Sequence, residues 1–456
     1  CLDDASERVF PWGLFYPNDL VPKDVALTYR NIGLLFRLLT PKYEPPRVTV
    51  LLPDRHRLGP QSGRIHDAIW RTFATLTSLR IRYNTLNEGA LDVLPAATRV
   101  LVYPVPYCLD DATYSRLLAF VRQGGALYVS GDVSYGPDRT RTQTGRLREL
   151  VGMAFGEELY PNIGYDAAAP KASAPTGSGQ ALGLVPFAAA AGIRFGELAT
   201  GAGGPPEVLQ VTQDGEHIPV VVARGLGKGR VFFVNDPVEL RTDLADDVLR
   251  SIHAAFATYA EVDRLQIEPD VPDVHVFRVP VEGAEEVVVA VNRGEARTVR
   301  LALGTHRVEL ALARAGTGMI WLDSEGRAVA VEAQGEVQVD GRRVADLPCN
   351  AAVAALDGHG LLESSSVLIL PFGEGVLRVE SSRDWRDRVV EVGDFEDGQW
   401  RPLESLECYT QPHLNVVLDG DQAASLLFVG ERGELEASRR RLSALVQRPD
   451  LSLASP

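Results

Sequence analysis

Arg99-Val-Leu-Val-Tyr-Pro104, then Leu109-Asp-Asp-Ala-Thr-Tyr114 running through Leu117 to Gly125, then Ala126-Leu-Tyr-Val-Ser130 read as an apolar strand, a helix and a second apolar strand. Asp110 or Asp111 can cap the helix, which presents Tyr114, Leu117, Leu118 and Val121, and Gly124-Gly125 supply residues tolerant of positive φ at its end. Upstream, residues 47–53 form another apolar run, followed by the helical pattern Ile65, Ala68, Ile69, Phe73, Leu76 and a strand-like stretch at 79–83. Strands alternating with helices predict parallel βαβ units.

Outward from this core the pattern changes twice. Residues 131–204 loosen into stretches rich in Gly, Ala and Pro, with 147–153 as the only firm helix. Residues 207–212 and 219–224 then read as strands, the second joined through Gly225-Leu-Gly-Lys-Gly229 to Arg230-Val-Phe-Phe-Val234 as a hairpin, and a long helix is expected over 239–259. Beyond Glu261 the apolar period becomes two, at 274–279, 286–292, 298–303, 307–312, 328–331, 336–339 and 376–379, which predicts antiparallel sandwiches, with an amphipathic helix over 431–447. At the other end, Val25, Leu27, Ile32, Leu35, Phe36 and Leu39 recur at helical spacing until Pro41, Pro45 and Pro46 stop the helix. The expected organisation is a lead-in segment at 1–45, an α/β domain at 46–260, a β-sandwich at 261–365 and a second β-rich module with a terminal helix at 366–456.

The 456 residues allow about three domains. The net charge of −15 is unevenly placed: 26 basic and 27 acidic residues lie before position 261, against 20 and 34 after it. No basic patch offsets this acidity, and no window approaches the ~20 apolar residues of a membrane helix, so neither nucleic acid nor membrane is expected as a partner. Cys1, Cys108, Cys349 and Cys408 stand too far apart for a disulfide framework or a zinc site. A reducing, cytoplasmic location is expected, with secretion left open, and no cofactor or metal is anticipated. The start at Cys1 reads as a piece of a longer polypeptide.

Several residues could carry chemistry. Cys108 follows a strand in a region where ligands sit beyond the carboxyl ends of strands, but Tyr107-Cys108-Leu109 has no flanking glycine to form an elbow. Ser130-Gly131-Asp132 follows the next strand without a G-x-S-x-G frame, and an ordinary Gly turn with a capping Asp accounts for it. Gly225 to Gly229 mimics a phosphate loop in composition only, because a strand follows instead of a helix. In Asn235-Asp236-Pro237-Val238-Glu239 a capping Asp236, Pro237 at the first helical position and Glu239 in the first turn explain both carboxylates. Trp321, Trp385 and Trp400 could stack sugar rings if exposed, although tryptophans in sandwiches are mostly core residues. Asp54, His56, Tyr107, Ser130, Asp132 and Glu239 are the residues expected to line a cleft.

Residues 48–53, 101–106, 109–132 and Gly229-Arg-Val-Phe-Phe-Val-Asn-Asp-Pro-Val-Glu239 resemble the trimerisation domain of glycoside hydrolase family 42 β-galactosidases. The resemblance implies a flavodoxin-like fold similar to class I glutamine amidotransferases over 46–260, followed by β-rich modules. Where an amidotransferase-like enzyme carries its nucleophilic Cys this chain has Ser130-Gly131-Asp132, and where such enzymes often carry a His before Pro it has Asp236. The implied fold therefore comes without the amidotransferase chemistry. In those enzymes a (β/α)8 barrel of about 250 residues precedes this domain, and only some 45 residues stand before Pro46. The expected function is a non-catalytic C-terminal portion of a glycosidase, a homo-oligomer and by resemblance a trimer, meeting carbohydrate through the parent enzyme. Two other expectations compete: a free-standing hydrolase or amidotransferase-like enzyme using Ser130 or Cys108, and a carbohydrate-binding module using the tryptophans.

Overall fold

The computed structural model describes residues 24–38, 42–56, 61–159, 169–198, 203–281, 286–371, 375–380, 388–396, 399–407, 413–418 and 426–447. Cys1, the aromatic stretch 10–16, Trp385 and Cys408 lie outside them. The chain is mostly β, in several sheets, with a few helices, and divides into two compact units, Pro45–Arg264 and a unit made of Cys1–Glu44 with Leu265–Pro456.

The helix Asp24–Leu38 (α1) reads in the sequence as a lead-in to the α/β domain; it belongs instead to the β-rich unit. Its Leu34 and Leu35 enter the core of that unit, and Asn31 donates from Nδ2 to the Pro371 carbonyl at 2.6 Å.

Unit 45–264 is built on one nine-stranded sheet. Its strands and helices are β1 (Val48–Leu52), α2 (Ser62–Ser78), β2 (Tyr83–Asn87), β3 (Val100–Tyr103), α3 (Asp111–Arg122), β4 (Ala126–Ser130), α4 (Gly145–Leu150), β5 (Met153–Glu158), β6 (Lys171–Pro175), α5 (Gly177–Ala181), β7 (Phe187–Ala189), β8 (Ile193–Leu198), β9 (Glu207–Thr212), β10 (Pro219–Leu226), β11 (Gly229–Val234) and α6 (Asp246–Tyr259). The order is β2-β1-β3-β4-β11-β10-β9-β6-β7. The first five strands run parallel and the rest pair antiparallel.

The continuous apolar runs serve two faces by period-two alternation. Val100, Val102, Tyr128, Phe232 and Val234 pack with Leu76 of α2 and Ile252 and Phe256 of α6. Leu101, Tyr103, Leu127, Val129 and Phe233 pack with Leu117, Leu118 and Val121 of α3. Asp110 caps α3, accepting the Thr113 N–H at 2.6 Å, and Gly124 at φ +120° lets the chain turn into β4. The β10–β11 hairpin closes with Leu226 opposite Gly229 and Gly227 at φ +62°.

Three differences from the expectations stand out. Strand β2 begins at Tyr83, because residues 79–82 are taken up by the end of α2 and Arg80 at φ +60°. Among its described residues the loose region 131–204 holds four short strands, of which β6 and β7 extend the main sheet and β5 and β8 form a separate pair. The long helix expected from 239 starts only at Asp246; Val238–Leu240 is a single 3₁₀ turn that ends where Arg241 turns extended.

In the second unit, fourteen strands among the described residues between Ile267 and Glu431 join one sheet whose pairs are antiparallel. The strands Val274–Val279 and Glu286–Asn292 fall where the alternation places them, and the runs at 328–331 and 336–339 are one strand, Ala328–Val339. Strands on both sides of position 365 share this sheet and one core, which also holds Leu442 of the C-terminal helix Leu435–Gln447. No described helix is long and apolar enough to cross a membrane.

Candidate functional site

The carboxyl ends of β1, β3, β4 and β11 carry the candidate residues, the place where open parallel sheets put ligands. Ser130 ends β4, and its hydroxyl is fully buried. It donates to Glu239 Oε2 at 2.6 Å and accepts the Val105 N–H at 3.1 Å. Glu239, in the 3₁₀ turn after β11, is buried as well and accepts Tyr128 OH on Oε1 at 2.6 Å. His253 of α6 brings Nε2 to 3.3 Å from the same oxygen, near enough for charge attraction but without hydrogen-bond alignment, and its ring lies 4.7 Å from that of Tyr128. Burial works to raise the Glu239 carboxyl, yet His253, Ser130 and Tyr128 outweigh it and hold the group below its ordinary range.

This wiring decides what the cluster can do. A serine nucleophile needs a base that takes its proton and a third group that orients the base. Here the carboxylate stands in the middle, hydrogen-bonded to Ser130 and Tyr128 with His253 Nε2 3.3 Å from Oε1, so the Ser130 hydroxyl donates to Glu239 and not to an imidazole base. A fully buried hydroxyl with two polar partners is also closed to substrate. The expected capping role of Asp236 is replaced by another. Its Oδ2 accepts the Ala190 N–H at 2.7 Å and Arg241 Nη1 at 2.8 Å, while α6 starts ten residues later behind Ala245. Burial raises Asp236 to about 7 against the pull of Arg241.

The other predicted cleft residues make contacts of their own. Asp132 caps locally, as expected of a turn residue: Oδ1 accepts the Ser134 N–H at 2.8 Å and Oδ2 takes Arg141 at 2.8 Å. Arg141 also pairs with Glu158 and lies over the rings of Tyr135 and Phe155, at 4.7 and 5.0 Å. Tyr107 is buried, its hydroxyl close over Gly131, where a Cβ would stand 2.9 Å away. Cys108 is buried with φ +61°, and burial pushes its thiol up, the opposite of an activated thiolate. Asp54 opens the 3₁₀ turn Asp54–His56 at the end of β1, and the His56 side chain lies outside the described residues. Near it Glu88 is buried and accepts Tyr103 OH and the Arg55 N–H. Ser130 and Glu239 are thus brought together, and Asp132 bonds to Ser134 and Arg141 instead.

Tyr128, His253 and Glu88 carry no motif. His253 leaves one signal, a polar residue inside the apolar stripe Leu249, Ile252, Phe256 of α6. Trp321 and Trp400 are buried, and Trp400 donates Nε1 to Glu391 at 3.0 Å, so neither presents a face to sugar. Among the described residues, no group of three or more His, Cys, Asp or Glu is placed to hold a metal ion.

No protein-family model and no curated protein matches this chain. Among solved structures it is similar to Gan42B, a GH42 β-galactosidase from G. stearothermophilus, at 16% identity over 61% of this chain and 40% of that one, with a TM-score of 0.46. It is similar to the cold-adapted β-galactosidase of Rahnella sp. R3 at 19% identity, covering 63% and 42%, with the same TM-score of 0.46. The β-galactosidase of Halorubrum lacusprofundi matches at 15% identity, covering 67% and 44%, again at 0.46. The chain therefore spans less than half the length of each of these three proteins.

Proposed function

We propose that this chain is a non-catalytic portion of a bacterial glycosidase of β-galactosidase type, acting in carbohydrate metabolism through oligomerisation and support of an active site carried outside it. On this reading residues 46–260 are a flavodoxin-like trimerisation domain with an amidotransferase-like fold, the β-rich residues from 261 onward with their terminal helix are sandwich structure on one shared core, and the protein is cytoplasmic. The sequence resemblance of 46–260 suggests the family. The observation that carries the non-catalytic part is the burial of Ser130 with Glu239 as its direct partner, which removes the nucleophile an enzyme of this fold would use at that strand end.

Two measurements test it. Sedimentation velocity across a concentration series is expected to show a homo-oligomer, a trimer being the state the resemblance implies; a monomer at high concentration counts against the reading. The chain alone is expected to leave aryl glycosides intact, and hydrolysis that survives repurification overturns the non-catalytic assignment.

A further inference from the structure

Strand β2 ends the nine-stranded sheet. It pairs with β1 in unbroken register from Val48–Tyr83 to Leu52–Asn87, and no described strand lies on its other side. Natural sheets guard such edges with charge, proline, a bulge or a short strand. The opposite edge is guarded in this way: β7 has three residues, and its Ala188 carbonyl accepts Arg241 Nη2 at 3.2 Å. Tyr83-Asn-Thr-Leu-Asn87 has none of these devices, and its Thr85 and Asn87 are exposed.

A second feature stands at the same edge. On one flank of α2, Arg71 reaches the Arg241 and Leu244 carbonyls ahead of α6; on the other, His66, Trp70, Phe73 and Thr77 form one stripe. That stripe leads to β2. Phe73 stacks on Tyr83 with ring centroids 5.4 Å apart, and Trp70 stands edge-on to Phe73 at 5.9 Å. Trp70, the middle residue of α2, is 58% exposed, and its Nε1 donates to His66 Nε2 at 2.6 Å, which fixes the ring in solvent. A large aromatic held in one orientation beside an unguarded strand has the form of an interface anchor.

We propose that β2 pairs antiparallel with β2 of a second copy of this chain about a two-fold axis at Thr85, and that the two Trp70 rings close the contact. A second copy fits this edge better than an unrelated extended segment because the edge is complementary to itself. The axis at Thr85 pairs all five residues of both strands, Tyr83 with Asn87 and Asn84 with Leu86. It sets the two α2 helices antiparallel on one face of the joined sheet and brings their middle residues, Trp70, towards each other. The exposed charges beyond the two ends of the strand are opposite in sign, Arg82 before it and Asp92 after it, so the basic end of each copy meets the acidic end of the other. This two-fold contact is separate from the trimeric assembly proposed above, and the two together make a hexamer.

Disulfide trapping in the full chain tests the pairing. In a background of Cys1→Ser, Cys349→Ser and Cys408→Ser, Thr85→Cys sets two thiols across the axis at the Cα separation of about 4.5–5.5 Å that opposed strand residues have and a disulfide spans. Mild oxidation is expected to turn most chains into a covalent dimer on non-reducing gels. Asn87→Cys in the same background stands about 13 Å from its counterpart along the joined strands and is expected to stay single. Sedimentation velocity separates this contact from the trimeric one. Thr85→Lys, which sets like charges across the axis, is expected to halve the number of chains in the wild-type assembly, and Trp70→Ala to raise the dissociation constant of the pair at least tenfold. A wild-type dimer that Thr85→Lys turns into single chains supports the pairing and refutes the trimer. The pairing is overturned by equal cross-linking of Thr85→Cys and Asn87→Cys, by cross-linking of neither, or by a wild-type assembly that Thr85→Lys leaves unchanged, whatever other segment then uses the edge.

Discussion

Replacing Glu239 by alanine separates a structural cluster from a catalytic one. The substitution leaves the Tyr128 hydroxyl, the Ser130 hydroxyl and the His253 ring facing a cavity in a region closed to water. Each buried polar group stranded without its partner costs about 1–3 kcal/mol, so two hydroxyls and the lost attraction to His253 amount to about 3–5 kcal/mol. Denaturant unfolding followed by near-ultraviolet circular dichroism is expected to show that loss in the transition of the 45–264 unit, with an unchanged m-value. Glu239→Gln keeps the shape and one acceptor and is expected to cost about 1–3 kcal/mol. Because the native carboxyl is held below its ordinary 4.5, its stabilising contribution is present above that value and is lost as pH falls through the native pKa. The gap between wild type and Glu239→Gln should therefore narrow in acid. A Glu239→Ala protein within about 0.5 kcal/mol of the wild type would falsify the assignment of this network as a structural centre.

Other consequences follow from single contacts. Arg71→Ala removes the donor to the carbonyls of Val238, Glu239, Arg241 and Leu244 and is expected to lower the same transition by about 2–3 kcal/mol, read by denaturant titration. Gly229→Ala drives a methyl to 2.0 Å from the Val121 carbonyl oxygen and 2.2 Å from that of Gly125, so poor soluble expression or a loss of about 3 kcal/mol or more is expected. Trp400→Phe leaves Glu391 without its indole donor, at about 1–2 kcal/mol, and should reduce the thermal midpoint of the β-rich unit. In a variant whose other three cysteines are serine, Cys108 should react with a disulfide reagent only as fast as the unit unfolds; rapid native labelling contradicts its burial.

The parallel half of the sheet was legible because Arg99 to Ser130 states it three times over: a continuous apolar strand, a capped helix with one apolar face, and a Gly-Gly stop before the next strand. The short strands at 171–175 and 187–189 were not, since Ala- and Pro-rich stretches carry no alternation and are held by pairing with distant partners. The start of α6 at Asp246 is hidden for a related reason. Asp236-Pro237 looks like a cap followed by a first helical residue, but Asp236 spends its oxygen on Ala190 and Arg241, more than forty residues away for the former. The pairing of Ser130 with Glu239 spans 109 positions and has no local signature. What the sequence did offer was negative evidence, the missing glycine frames around Cys108 and Ser130, and the burial of both side chains agrees with it.

Ser130 is a closed structural hydroxyl in this network. Incubating the native chain with a fluorophosphonate, and weighing the peptide that contains Ser130, tests this most directly. No adduct is expected at Ser130 in the folded protein. A stoichiometric adduct there under native conditions, lost in Ser130→Ala, contradicts it.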